Sequence, residues 1–370
     1  MIIKKAHLFS IGIPLTVPYQ IAYDTISSTT NHFLQLVTGH ELTGIGCAAP
    51  AQEVTGESPA ASLEALKKVV RQLEGMDVEE ALQKASEWRL EWLQRCPSAA
   101  CALDMALADL SASASDAPLV QWLGASPDHV KPVTTSITIG ISSLDDTMRR
   151  AERLVGEGFT FLKIKGGHDV VLDLKRLVKL RETYGSHIQL ALDANQGYTL
   201  KDVDRFEKGA RDLGLKYLEQ PTPKRDLALL GQAASATSIP VMADEAVQTV
   251  DDTCRIGDLY SVRLINIKLQ KMGGLQAAHA IDQASQEAQM HTMLGCMDES
   301  ALSIAAALHF GASHPNVHFY DLDGHFDLAQ DPFEHLVHCE TGNLTMPISE
   351  GLTGGHLPDL NAFRVLVEEE

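Results

Sequence analysis

Charged residues stand at the carboxyl ends of several short apolar runs in this sequence. Three consecutive runs end on a carboxylate: Asp193 in LALDAN, Glu219 in YLEQP and Asp244 in VMADE. Carboxylates that are held together repel one another and take up protons unless a cation joins them. Oxygen ligands suit Mg²⁺, with Mn²⁺ as a substitute, and the lack of His or Cys among the three argues against zinc. The pattern predicts a Mg²⁺ site, and the alternative is that the carboxylates pair with nearby lysines.

Two further runs end on a lysine, Lys165 in FLKIKGG and Lys268 in INIK. If the runs are the second and sixth strands of an eight-stranded ring, these lysines lie diametrically opposite each other. A substrate carboxylate on the metal would then have one lysine on each face of its α-carbon. One lysine could remove the α-proton and the other could return a proton to the opposite face, while the metal stabilises the enediolate.

A second lysine, Lys163, precedes Lys165 by two residues, so both side chains point to the same side of a strand. A base must be neutral before it accepts a proton, and lysine ordinarily titrates near ~10.4. The ammonium of Lys163 and the metal charge are predicted to lower the pKa of Lys165. Lys163 is interpreted as this electrostatic neighbour and as a contact for the substrate carboxylate. The alternative is a lysine whose stem lies along the rim.

The runs that carry these residues recur at intervals, and each is followed by an amphipathic helical stretch. They cover residues 133–139, 161–165, 188–194, 216–220, 239–245, 263–269, 291–295 and 317–323. Alternating strands and helices are typical of an α/β protein with a parallel sheet. Eight strands with seven helices between them predict a barrel closed by its last strand, with a large open sheet as the alternative. In such a barrel the strand ends meet at one mouth, where active sites form.

The remaining segments predict a second, smaller unit. The first 50 or so residues have the pattern of strands with turns, and residues 57–125 have that of helices. The tail is rich in turn residues and is expected to return to the N-terminal part. The predicted division is residues 1–125, a barrel over residues 126–325, and a returning segment over residues 326–370.

Composition narrows the classes of partner. The chain has 370 residues, 45% of them apolar, and a formal net charge of −19, which argues against nucleic acid and anionic membranes. No apolar run reaches the roughly 18 residues of a membrane span. The N-terminus MIIKKAHLFSIGIPL lacks signal-peptide features, and the six cysteines show no paired spacing, so a cytoplasmic location is expected. The acidic charge fits an ordinary soluble surface or a field that attracts cationic substrates.

The motifs FLKIKGG, LDANQGY, YLEQP, MADEA and INIKLQKMGG together resemble the enolase superfamily, muconate-lactonizing-enzyme subgroup, over nearly the whole chain. LTGIGCAAP and CALDMALADL resemble that family's capping-domain motifs. The resemblance implies an α+β capping domain over a modified TIM barrel, (β/α)7β, with Mg²⁺ required. It also implies that Asn195 and Glu245 support the metal site and that the protein is a homo-oligomer.

The eighth run ends YDLDG, and this resembles the DxD motif of the dipeptide epimerases. Asp321 and Asp323 on one side of a strand form an anionic clamp for an ammonium group, which the free N-terminus of a dipeptide supplies. The prediction is a dipeptide epimerase that inverts the α-carbon of the C-terminal residue. The alternatives are a cycloisomerase, an o-succinylbenzoate synthase, an N-acylamino-acid racemase, and a non-catalytic binder of metal or peptide.

Two further acids bear on the choice of dipeptide. Epimerases that act on Ala-Glu resemble the segment PYQIAYDTISS but carry an arginine where this chain has Asp24. Asp298 in GCMDES stands where relatives often have an apolar residue. These acids predict a preference for Lys- or Arg-containing dipeptides, with Cys296 and Met297 of the same segment also in contact with the substrate. The alternative is that Asp24 caps a loop or faces solvent.

Overall fold

An antiparallel sheet and a set of helices form the N-terminal part of the chain. The structure, a computed structural model, describes residues 1–20, 25–259 and 261–363. The sheet has three strands in sequential order, and its third strand packs on an alanine-rich helix. A Cβ atom on Gly46 would lie 2.0 Å from the carbonyl oxygen of Ala102, so this close approach requires glycine. The elements are β1 (Ile3–Gln20), β2 (Thr25–Thr38), β3 (Thr43–Ala48), α1 (Gln52–Thr55), α2 (Pro59–Leu73), α3 (Val78–Glu91), α4 (Pro97–Ala114) and α5 (Leu119–Trp122).

Strands and helices then alternate, and the strands form one parallel sheet of eight in sequential order. A hydrogen bond from Ser136 N to Tyr320 O, 2.8 Å long, joins the first strand to the last. The predicted (β/α)7β barrel is confirmed. The elements are β4 (Val133–Thr134), β5 (Ile137–Ile139), α6 (Leu144–Gly156), β6 (Phe161–Lys165), α7 (Val170–Tyr184), β7 (Gln189–Asp193), α8 (Leu200–Ala210), β8 (Leu218–Glu219), α9 (Leu227–Ser235), β9 (Val241–Ala243), α10 (Val250–Gly257), β10 (Leu264–Ile267), α11 (Leu269–Met272), α12 (Leu275–Glu287), β11 (His291–Gly295), α13 (Ala301–Ser313) and β12 (Val317–Asp321).

Local sequence sets where several of these helices begin. Ser143 caps α6 by accepting a hydrogen bond from the backbone N–H of Asp146. Thr199 with Asp202, and Thr249 with Asp252, form reciprocal capping boxes at the starts of α8 and α10. Each cap satisfies N–H groups that a helix leaves unpaired at its first turn. The capping residues therefore determine where α6, α8 and α10 begin.

An apolar plug fills the lower half of the barrel. Its members come from successive strands, and each points inward because side chains alternate along a strand. They are Phe161, Ala191, Tyr217, Met242, Leu264 and Met293, with Phe319 packed against them. The outward neighbours on β6, Leu162 and Ile164, pack in a separate core with the surrounding helices. The charged residues at the strand ends therefore lie above a buried, mainly apolar cluster of side chains.

The expectation of one strand over residues 133–139 is wrong. Val133–Thr134 pairs with β14 (Asn343–Thr345), which also pairs with β13 (His338–Glu340) in a separate small sheet. Thr135 donates its N–H to Gly342 O, whereas the next residue, Ser136, donates to Tyr320 O in the barrel. Neighbouring residues thus bond to two different sheets, which divides the run.

The C-terminal segment contacts the N-terminal part through backbone hydrogen bonds. Thr16 N donates to Asp327 O at 2.8 Å, and Ala329 N donates to Pro14 O at 2.9 Å. Farther along, Leu119 N donates to Gly351 O at 2.9 Å. The division into residues 1–125, 126–325 and 326–370 stays a prediction. Within the described residues, no helix is long and apolar enough to cross a bilayer.

Candidate active site

Two lysines of β6 point into the barrel above Phe161, as the alternation predicts. Lys163 is 2% exposed, and its Nζ lies 3.3 Å from Glu219 Oε2 and 3.7 Å from Asp193 Oδ2. It also forms a short ion pair with Asp321. Burial opposes the charge on Lys163, but the carboxylates of Asp321, Glu219 and Asp193 outweigh it and raise the pKa of Lys163 well above its usual value. Lys163 is therefore a counter-ion for three carboxylates as well as a neighbour of Lys165.

Lys165 and Lys268 stand on opposite sides of the barrel mouth, at the ends of the second and sixth barrel strands. Lys165 Nζ lies 2.6 Å from Asp193 Oδ2, and Lys268 Nζ lies 3.0 Å from Asp244 Oδ2. Burial acts against the charge of Lys268, yet Asp244 overcomes it and raises the pKa of Lys268 far above its ordinary range. Each amine thus forms an ion pair with a different one of the three predicted metal ligands.

The predicted metal ligands follow three adjacent strands. Asp193 and Glu219 are register partners on β7 and β8, and Asp244 directly follows β9. Asp193 Oδ1 accepts from the backbone N–H of Asn195, and Glu219 Oε1 accepts from Asn266 Nδ2 at 2.7 Å. Burial, followed by the charge of Asp193, raises the pKa of Glu219 to about 8. This carboxyl group lies deep in the barrel without enough positive charge to hold it ionised.

The lysines divide these carboxylates from one another. Across the described ranges, no three or more His, Cys, Asp or Glu side chains converge as a ready metal site. The contacts instead match the alternative pairing with lysines. The ion pairs join four carboxyl groups to four ammonium groups: Asp193, Glu219, Asp244 and Asp321 against Lys163, Lys165, Lys268 and Lys271. The carboxyl groups of Glu245 and Asp323 interact with Lys268 and Lys163 at longer range.

Two buried oxygens beside the trio have no hydrogen-bond partner among the described residues. They are Asn195 Oδ1 and Glu245 Oε2, although the same two side chains contact each other through Asn195 Nδ2 and Glu245 Oε1 at 3.3 Å. Such orphaned oxygens are costly in a protein interior. A hard divalent cation would use oxygen donors of this kind. The donor set therefore fits Mg²⁺.

Asp321, the last residue of β12, and Asp323, two residues beyond it, make different contacts from each other. Asp321 is engaged by Lys163 and by Ser136 Oγ at 2.5 Å. Asp323 Oδ2 accepts from the Thr138 backbone N–H at 2.7 Å, and its Oδ1 lies 3.9 Å from Cys296 Sγ. Burial, with the charge of Asp321, raises the pKa of Asp323 to about 6. Asp323 is the member of the predicted clamp that lacks a lysine contact shorter than 4 Å in the described part of the chain.

A cavity of about 490 Å³ opens above these groups. That volume lies within the usual range for small-molecule sites. Its wall includes Val17 and Glu53 of the N-terminal part as well as the barrel mouth. Among the predicted site residues it is lined by Lys163, Lys165, Asn195, Asp244, Glu245, Lys268, Cys296, Met297, Asp298, Asp321 and Asp323. Asp193 and Glu219 are fully buried and do not line it, and Asp24 lies outside the described residues.

Sequence reasoning missed three polar residues of this region. Lys271 is 1% exposed and donates to the carboxylate of Asp244 and to Asn266 O. Its place three residues after Lys268, one helical turn on, was the available signal. Ser136 bonds Asp321, and its position before the first barrel strand gave no such signal. Glu299 is buried beside the cavity segment, and burial raises the pKa of its carboxyl group to about 8.

Comparison with known proteins agrees with the barrel fold. Residues 4–124 match the model of the mandelate racemase / muconate lactonizing enzyme N-terminal domain, and residues 146–354 match the enolase C-terminal domain-like model. The fold is that of the enolase superfamily. The chain belongs to the mandelate racemase / muconate lactonizing enzyme family.

Relatives with known activities cover almost the whole chain. An L-Lys-D/L-Arg epimerase of Desulforapulum autotrophicum is 39% identical over 90% of this chain and 93% of its own. A hydrophobic dipeptide epimerase of Enterococcus faecalis is 33% identical over 90% of this chain and 93% of its own. The dipeptide epimerase of Methylococcus capsulatus, solved with Mg and the dipeptide L-Arg-D-Lys, is 34% identical, with a TM-score of 0.88 over 95% of this chain and 99% of that one.

Proposed function

We propose that this protein is a Mg²⁺-dependent dipeptide epimerase that inverts the α-carbon of the C-terminal residue. The observation that carries the proposal is the placement of Lys165 and Lys268 on opposite strands with both side chains lining one cavity. An α-carbon held between two amines can lose a proton to one and gain a proton from the other. The relatives named above act on dipeptides, which supports the same substrate class here.

Each residue of the site has a distinct part in this reaction. Asp193, Glu219 and Asp244 would hold the metal, with Asn195 and Glu245 beside them; when bound, it supplies positive charge to the substrate carboxylate as negative charge develops there. Lys163, buried among carboxylates, adds a fixed cation near that group. Asp244 keeps Lys268 protonated, which suits the amine that returns the proton. Lys268 can act as a base only when the Asp244 carboxylate no longer stabilises its ammonium form.

The ammonium group of the dipeptide is assigned to the two carboxylates at the end of β12, Asp321 and above all Asp323. Because its pKa is raised to about 6, Asp323 is ionised above that pH and neutral below it. We expect kcat/KM to fall roughly tenfold for each pH unit below this value, since the neutral form no longer attracts the substrate ammonium. A pH profile from 4.5 to 8 tests this, with Asp323→Asn as comparison. An acid limb unchanged in Asp323→Asn would contradict the assignment.

A preference for cationic dipeptides follows from acids that the proton transfer does not use. Glu53, Asp298 and Asp327 line the same cavity. Asp24 adds a further acid on sequence grounds. The lining also includes Asp146 and Arg150, so acids outnumber cations in this part of the wall by four to one. A wall with such an excess of negative charge attracts positive side chains of a substrate. The similarity to an L-Lys-D/L-Arg epimerase supports the same preference.

The preference has a direct test in competing substrates. We expect kcat/KM for Lys- and Arg-containing dipeptides to exceed that for Ala-Ala by at least about tenfold, a difference of ~1.4 kcal/mol. Asp298→Asn should reduce this ratio several-fold, and Asp24→Arg should move the preference toward acidic side chains. Neutral dipeptides serve as the internal control, since their rates should change little. Equal losses on basic and neutral substrates would remove the charge argument.

The activity itself is tested by hydrogen exchange. Purified protein with MgCl₂ in D₂O is incubated with a library of L,L-dipeptides, and mass spectrometry detects deuterium at the α-carbon of the C-terminal residue. N-acetylated versions of the active dipeptides are the matched controls, because they lack the ammonium group. Exchange of the free dipeptides alone supports the proposal. Exchange of the acetylated forms alone would favour an N-acylamino-acid racemase, and a new double bond or ring, detected by NMR, would favour a lyase or cycloisomerase.

A further inference from the structure

A buried ion pair lies directly behind the strand end that carries Lys165. Arg176 and Asp173 stand one turn apart on α7, with exposed fractions of 0% and 2%. Arg176 Nη2 lies 2.9 Å from Asp173 Oδ1 and also donates to the carbonyl oxygen of Lys165. Its Nη1 donates to Gly140 O at 3.4 Å, in the segment that follows β5. One guanidinium therefore contacts the ends of two neighbouring barrel strands.

The other carboxylate oxygen of Asp173 accepts hydrogen bonds from two loops. Oδ2 accepts from the Gly167 backbone N–H at 2.9 Å and from the Tyr198 hydroxyl at 2.8 Å. Gly167 follows Lys165 by two residues. Tyr198 lies in the loop after β7, the strand that ends at the predicted ligand Asp193. The loops also touch backbone to backbone, because a Cβ atom on Gly167 would lie 2.1 Å from Ala194 O.

Stability alone is a weak reason for this arrangement. A buried ion pair often contributes less than well-packed apolar residues would, because both charges leave water. Burial lowers the pKa of Arg176 from its ordinary value, a direct sign of that penalty. Arg176 Nε also has no hydrogen-bond partner among the described residues. The pair instead fixes backbone geometry, because the planar guanidinium of one arginine can hold several carbonyl oxygens in place at once.

We propose that Asp173, Arg176 and Tyr198 are positioning residues for Lys165, setting the point from which its side chain reaches the α-carbon. The proposal rests on the two-lysine reaction given above. None of the three is among the described residues that line the cavity, so they act through the backbone of Lys165 and not on the substrate. Lys268 lies on the opposite strand and makes no contact with this network in the described bonds. Disturbing the network should therefore slow proton transfer on the face of the α-carbon that Lys165 serves, and not on the face that Lys268 serves.

The two faces can be measured separately. In D₂O, each purified epimer of one active dipeptide loses its α-hydrogen to a different lysine. The epimer that still exchanges in Lys268→Ala presents its hydrogen to Lys165. In Tyr198→Phe we expect exchange of that epimer to fall about tenfold relative to exchange of the other, well inside the roughly 100-fold cost of a 1 Å displacement. KM for both epimers should stay within about twofold, because substrate contacts are unchanged.

Two more variants complete the experiment. Arg176→Lys keeps the charge but not the fork, and should shift the exchange ratio in the same direction. Thr292→Val is the matched control, because it removes a buried hydrogen bond of similar length, 2.7 Å to Asp282 Oδ1, at the opposite end of the barrel. Its thermal stability should fall about as much as that of Tyr198→Phe, with no change in the exchange ratio. Tyr198→Phe keeps the ring in place, so the test stands even if Arg176→Lys does not fold.

The exchange ratios of the variants distinguish the possibilities. A shift against the Lys165 face in Tyr198→Phe, absent in Thr292→Val, supports the positioning role. Equal loss on both faces, no loss, a shift against the Lys268 face, or the same shift in the control overturns it. If the unaltered protein exchanges neither epimer of any dipeptide, the proposed function fails first, and that result is distinct from all of these.

Discussion

Replacing Lys165 or Lys268 by alanine should lower epimerisation by at least about 10³-fold, in keeping with the loss of a positioned acid–base group. The two variants should differ in which epimer still exchanges its α-hydrogen in D₂O. In Lys165→Ala, the epimer that faces Lys268 can lose its proton and regain a deuteron from the same amine, without inversion. In Lys268→Ala, the other epimer should do so. This crossed pattern follows from the opposite placement of the two strands.

The measurement pairs NMR of exchange with chiral chromatography of inversion, for both epimers and both variants. Lys208→Ala is the control, because Lys208 is an exposed lysine 2.6 Å from Asp204 on α8 and should leave both rates unchanged. Each catalytic variant should still unfold cooperatively, so that lost activity is not lost structure. Inversion that persists in either variant, or exchange that disappears for both epimers in both, would argue against two opposed bases.

Much of this site could be predicted from the sequence because of one geometric rule. The ends of parallel strands in a barrel converge on one mouth, so residues far apart in sequence, such as Lys165 and Asp244, could be expected to meet. The period of two along β6 likewise placed Lys163 and Lys165 on the same side. Helix caps at Ser143 and Thr199 marked where the strands gave way to helices. These features depend on local patterns, which a sequence states directly.

What could not be predicted depends on which side chains meet across the ring. Nothing in the spacing of the sequence says that Lys163 pairs with Asp321, since 158 residues separate them. Lys271 was missed because a lysine on a short helix after a strand is ordinarily solvated, whereas here it is buried against Asp244. The run over residues 133–139 divided between two sheets because its partners, β14 and β12, follow it by about 180 residues or more. Such partners are set by tertiary packing.

A second large effect concerns Glu219, whose charge has no sufficient counterpart in the protein itself. Its Oε2 accepts from Lys163 Nζ and its Oε1 from Asn266 Nδ2, at 3.3 and 2.7 Å. Asn266 Oδ1 has no hydrogen-bond partner among the described residues. In Glu219→Gln, rotating the Asn266 amide by half a turn would let Oδ1 accept from the new amide, while the glutamine oxygen accepts from Lys163. The substitution thus keeps the hydrogen bonds and removes only the charge.

Stability and activity should then respond in opposite directions. Because burial raises the pKa of Glu219 to about 8, ionising it costs more in the folded than in the unfolded protein. Without metal, stability should therefore fall as pH rises from near the ordinary glutamate value of about 4.3 toward the raised one, and should stay low above it. Glu219→Gln removes this loss, so its metal-free Tm at pH 8 should equal or exceed that of the unaltered protein. Activity should nevertheless drop by at least about 10²-fold, because the metal charge is less firmly held.

Metal titration separates the two effects within one experiment. The unaltered protein should gain roughly 2.7 kcal/mol of stability at a Mg²⁺ concentration of 100 times Kd, seen as a rise in Tm. Glu219→Gln should gain far less at the same concentration, and NaCl at matched ionic strength controls for general screening. A chelator should abolish activity of the unaltered protein, and MgCl₂ should restore it. If Glu219→Gln kept both full activity and full stabilisation by Mg²⁺, the excess charge at Glu219 would have another purpose, and the lysine–carboxylate pairs would suffice to explain the cluster.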